Sequence, residues 1–103
     1  MGTYDPTHLL KDAAKSIREA AEDLAEGKAE WDRPRDVTKS LAWLQELVDD
    51  ASKVLIQGAG VLPRMTNDPD APKAGQRIAE AAATATQLSN QLRKAHDAAE
   101  DVR

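Results

Sequence analysis

The chain contains no cysteine. That excludes a disulfide, a thiolate zinc cluster and a thiol nucleophile. It also contains no phenylalanine and a single tyrosine, so any core must be built from aliphatic residues and alanine. Such a core buries little area per residue. At ~25 cal/mol per Å² it leaves a small stability margin unless helices pack closely or chains associate. No apolar run approaches the ~20 residues needed to span a bilayer. Met1-Gly2-Thr3-Tyr4-Asp5 lacks a basic region followed by an apolar one, so no secretory signal is read. Pro6 stands where an N-myristoylation signal requires Ser or Thr. A cytoplasmic location and no membrane contact are the expectations.

A basic excess is lacking too. The formal net charge is −4 and the pI is near 5.1, which disfavours a dedicated nucleic-acid binder. The nearest basic corner is Lys28, Arg33, Arg35 and Lys39, interleaved with Glu30, Asp32 and Asp36. It supports an alternative reading as a nucleic-acid-associated regulator, although mixed charge of this kind usually marks a solvated surface. Chemistry is scarce as well. The two histidines, His8 and His96, each have one carboxylate a helical turn away, Asp12 and Glu100. A metal site needs three or four ligands. Gly58-x-Gly60 lacks the third glycine and the strand of a dinucleotide loop, and no P-loop is present. No catalytic residue, metal site or cofactor is expected, and the chain reads as a non-enzyme.

What is present is helical periodicity. Ala74, Ile78, Ala81, Ala85, Leu88, Leu92, Ala95, Ala99 and Val102 alternate steps of four and three, a heptad stripe of about four repeats. Its alanines allow close approach of a partner helix. Leu10, Ala13, Ile17, Ala20 and Leu24 form a shorter stripe after Asp5-Pro6, a good helix start. Trp31 falls seven residues beyond Leu24. Burying its indole would outweigh the ~1 kcal/mol of a helical glycine at Gly27, so the first helix is expected to continue to Trp31. Asp32 or Asp36 can cap the next helix, where Val37, Leu41, Leu44, Val48, Ala51 and Leu55 repeat the pattern. Gly58-Ala59-Gly60 is expected to stop it. A loop of ~14 residues carrying Val61, Leu62 and Met65 follows, and Asp70 with Pro72 opens the third helix.

The fold class expected is therefore all-α, with no strands. It is a single domain, residues 1–103, forming a three-helix antiparallel up-down-up bundle with helices at 6–31, 35–57 and 71–102. Trp43, Leu47 and Val54 form a second apolar row on helix two. With Leu62 and Met65 from the loop they make either covered core or a partner-binding strip with Trp43 as anchor. If helix three is the longest, Ala95, Ala99 and Val102 overhang its neighbours and self-associate, giving a homodimer. The function expected is a non-enzymatic protein-protein interaction or accessory module. In size, helical content, absence of cysteine and a Trp near a helix connection, the chain resembles the small secreted WXG100-type proteins. That resemblance implies a helical, secreted protein as a further alternative. Trp31-Asp32-Arg33 and Trp43-Leu44-Gln45 both lack the Trp-x-Gly glycine, and His96-x-x-x-Glu100 lacks the tyrosine of the C-terminal signal.

Overall fold

The computed structural model describes residues 2–103. It contains three helices, α1 (Thr7–Ala25), α2 (Pro34–Met65) and α3 (Ala71–Glu100), and no strand among the described residues. The all-α class holds. The chain divides into two compact units, one ending at Asp32 and one comprising Arg33–Arg103.

The first unit is organised by the ends of α1. The Asp5 carboxylate accepts from the Thr7 amide at 2.8 Å and the Thr7 hydroxyl at 2.6 Å. The Pro6 carbonyl then accepts from the Leu9 and Leu10 amides. At the other end the helix stops at Ala25, not at Trp31. Gly27 has φ +77°, its amide donates to Leu24, and the Lys28 amide donates to Asp23 at 2.8 Å. These are the two bonds of a Schellman closure, which satisfies carbonyls that a free helix end leaves open. Continuation would have required burial of Trp31, and Trp31 is 48% exposed. Without that burial, the positive-φ conformation that glycine adopts freely prevails.

The second unit is a hairpin of two long helices. Before α2, Arg33 is extended and Pro34 occupies the first turn, the position where a missing amide costs nothing. Neither Asp32 nor Asp36 supplies a side-chain cap, though Asp36 lies in the first turn, favourably placed toward the helix dipole. Gly58-Ala59-Gly60 does not stop α2, which runs on through Pro63 to Met65. Contact with α3 offsets the poor helix propensity of the glycines: Ile78 lies at Gly58, and Gly75 packs against Ala59 and Pro63. Pro63 falls within the last turn, where the ladder it interrupts is nearly finished.

The expected 14-residue loop is consequently five residues, Thr66 to Asp70. It is held by two short side-chain turns. The Thr66 hydroxyl accepts from the Asp68 amide at 3.1 Å, and the Asp68 carboxylate accepts from the Asp70 amide at 2.8 Å. Asp70 stands at the N-cap position of α3 but makes no side-chain cap bond.

Pairings between the helices run in opposite senses, 52 with 82 and 86, 59 with 75, so α2 and α3 are antiparallel. Buried on α2 are Thr38 and Ser52; buried on α3 are Ala71, Gly75, Ala82 and Ser89. Gly75, Ala82 and Ser89 are seven apart, as a heptad seam requires. The heptad stripe read from the sequence lies beside this seam rather than on it. Ile78, Ala85, Leu92 and Ala99 are half-buried, while Ala81, Leu88 and Ala95 are exposed. The seam holds polar bonds. Ser52 and Thr86 hydroxyls lie 2.9 Å apart, and both reach the Ala82 carbonyl, at 3.1 and 3.2 Å. With one proton each, one hydroxyl holds the carbonyl and the other donates to its neighbour.

Candidate functional site

The helical extension of α2 rearranges the residues of the expected partner strip. Trp43, Leu47, Val54, Val61 and Met65 now share one helix, and at ~100° per residue they fall within about 40° of one another. The row lies roughly opposite the Thr38–Ser52 seam, on the side of α2 turned away from α3. All five are exposed, Trp43 by 71% and Met65 by 74%. Leu62 is set apart from this row. It is half-buried and lines a groove at the hairpin turn with Thr66, Asp68, Asp70, Ala71 and Ala74.

Between the row and the seam lies the broader apolar flank of the hairpin. On α2 it comprises Leu41, Val48 and Leu55 and, further round, Val37, Leu44 and Ala51. On α3 it is the Ala74–Val102 stripe. The contact of Ile78 with Gly58 and the shared groove of Leu62 and Ala74 place both flanks on the same side of the molecule. The residues that make up the two flanks carry no charge, and Arg77 stands at the edge of the α3 stripe, at the same helical angle as Ala95. The other side is polar, with a groove lined by Gln45, Glu46, Asp49, Asn90 and Arg93. Beyond it, Lys53 bridges Asp49 and Asp50 at 3.5 Å each. Those two carboxylates, Asp49 first, hold the lysine above its ordinary pKa.

The self-association residues are placed differently from expectation. α3 has 30 residues and α2 has 32, so α3 does not overhang its hairpin partner. Ala99 is half-buried and lines a groove with Thr38, Lys39 and Ala42. Ala95 is exposed on the stripe, and Val102 lies past the helix end, 60% exposed.

The basic corner is partly neutralised within each unit. Lys28 pairs with Glu26 at 2.9 Å, and Arg33 with Asp36 at 3.4 Å. Arg35 and Lys39 border the groove that also contains His96 and Glu100. His96 Nδ1 lies 3.2 Å from Asp97 and 3.4 Å from Glu100. These three groups could converge on one point, but both carboxylates are exposed and the arrangement is that of a histidine paired with its helix neighbours. His8 Nδ1 lies 3.1 Å from the Asp5 carbonyl.

Two features escaped the sequence reading. The Ser52–Thr86 bond was hidden because serine and threonine carry no periodic signal. The apolar flank shared by two helices was legible only in part, since each stripe was visible but their common side depended on the hairpin's register. The chain matches no known protein family, curated protein or solved structure.

Proposed function

We propose that this chain is a non-enzymatic interaction module that recognises another protein through the outer side of α2. The observation that carries the reading is the exposed row Trp43–Leu47–Val54–Val61–Met65. It is an apolar row along one helix, with an aromatic at one end and a flexible thioether at the other. Trp is the residue most enriched among interface anchors, and methionine adapts to irregular partner surfaces. Helix-in-groove recognition uses anchors with this kind of spacing.

The decisive experiment is Trp43→Ala in affinity purification from the native host. The expected result is loss of the captured partner with helicity and melting temperature nearly unchanged. A variant that is unfolded at room temperature would identify Trp43 as core and dismiss the strip. The alternative, nucleic-acid association through Arg33, Arg35 and Lys39, is weakened by the carboxylate partners of Lys28 and Arg33. It predicts retention on heparin that falls steeply with salt.

A further inference from the structure

We propose that the polar groove between α2 and α3 binds a small zwitterion of the α-amino-acid class, its carboxylate held by Arg93 and its ammonium by Glu46. Every residue of the groove lies in the unit Arg33–Arg103, and the Trp43 row has no part in it.

The observation that points to a ligand is Ser89. It is 5% exposed and lines the groove, yet its hydroxyl has no hydrogen-bond partner among the described residues. Buried hydroxyls are normally bonded, and the other hydroxyls of the hairpin helices follow that rule. Ser52 bonds the Ala82 carbonyl and meets Thr86. Thr38, Ser40, Thr84 and Thr86 each turn back to the carbonyl four residues earlier. Ser89 does not use the Ala85 carbonyl in this way. Among the described residues no side-chain polar atom sealed from solvent lacks a partner, so the Ser89 oxygen opens onto the groove that it lines.

The helix register explains the hollow. Residue 52 meets 82, and 59 meets 75, so one heptad further along the seam Gln45 is level with Ser89. Ala42 and Ser89 are small, and the space they leave is about 430 Å³, within the ~300–1,000 Å³ usual for ligand pockets. Around it stand Gln45 and Glu46 on α2, and Asn90 and Arg93 on α3. None of these four side chains makes a hydrogen bond or ion pair among the described residues. Asp49 also lines the groove, but Lys53 already pairs with it.

The charges select the ligand. With Asp49 matched, one free carboxylate and one free guanidinium remain, on opposite helices, and no ion pair joins them. A purely anionic ligand would leave Glu46 facing it, and a purely cationic one would face Arg93. A zwitterion complements both. The guanidinium grips a carboxylate with two parallel bonds. The Ser89 hydroxyl and the two amides supply donors and acceptors for a polar body. No aromatic or large apolar side chain lines the groove, so the ligand's own side chain is small or polar.

The test is titration of the nitrogen-15-labelled full-length protein with glycine and with L-asparagine, read from backbone amide shifts. Saturable binding with a millimolar Kd is expected, with shifts centred on Gln45, Glu46, Ser89, Asn90 and Arg93. Acetate alone and methylamine alone, each carrying one of the two charges, should bind about tenfold more weakly. Arg93→Gln and Glu46→Gln should each raise the Kd by about tenfold, and Ser89→Ala by about threefold. Glu80→Gln, away from the groove, should leave it unchanged. Helicity by circular dichroism checks that each variant is folded, and either charge variant alone suffices. No saturable shift with either zwitterion overturns the proposal, and the groove then holds water alone. Acetate or methylamine binding as tightly as glycine also overturns it, as does a Kd indifferent to both Arg93→Gln and Glu46→Gln. Partner capture through Trp43 is scored separately, so either proposal can fail without the other.

Discussion

Ser52 shows how much one small polar residue decides. It is 3% exposed and its hydroxyl is shared with Thr86 and the Ala82 carbonyl. A buried hydroxyl that is fully bonded costs little, and it fixes which turn of α3 meets which turn of α2. Ser52→Ala should cost about 1 kcal/mol, because Thr86 still reaches the Ala82 carbonyl. Ser52→Val adds volume to a close-packed seam as well, and should cost roughly 2–3 kcal/mol. Urea denaturation of the two variants separates these terms. Asp5 is the other residue whose chemistry is local. Bonds from the Thr7 hydroxyl and amide hold its carboxyl below the usual 3.8. A group whose folded pKa is depressed stabilises above its unfolded pKa and loses that contribution as pH falls through the folded value. The start of α1 should therefore begin to fray only below about pH 4, with an Asp5 midpoint under 3.8 by carboxyl NMR. Thr7→Val should move that midpoint back up.

At the scale of the element, α1 and α2 each missed their expected end by several residues, in opposite directions. Both misses turned on glycine. Gly27 adopts φ +77° and closes a helix with little to gain by continuing. Gly58 and Gly60 remain helical because α3 lies alongside. Propensity is a weak prior that packing overrides, and packing is not written in a local window. Gly75 tests this directly. A methyl there would lie 2.9 Å from the Ala59 carbonyl oxygen and 3.1 Å from Pro63 Cγ. That carbonyl is the one Pro63 cannot bond, and Gly75 lets α3 approach it. Gly75→Ala should destabilise by about 1–3 kcal/mol, since backbone must move. Gly60→Ala, with nothing within 4 Å, should instead stabilise by up to about 1 kcal/mol. Thermal melts followed at 222 nm would give the two signs.

At the scale of the whole molecule, apolar and charged residues are segregated across the hairpin, and the two proposed surfaces follow from that segregation. Among the described residues no helix is long and apolar enough to cross a membrane. The two surfaces should respond to different changes. Loss of the Arg93 charge acts on zwitterion binding in the polar groove, whereas truncation of Trp43 acts on partner capture and leaves the melting temperature in place.

The sequence by itself determined the helical class, the number of helices, and the stripes at Leu10–Leu24, Val37–Leu55 and Ala74–Val102. These follow from period and composition, which are local properties of the chain. Which side of each stripe meets a neighbour was decided only by tertiary structure. The seam runs through Thr38, Ser52, Gly75, Ala82 and Ser89 because small side chains let two backbones approach closely. The larger Leu, Ile and Val residues cannot fit between backbones that close, and so they line the flank.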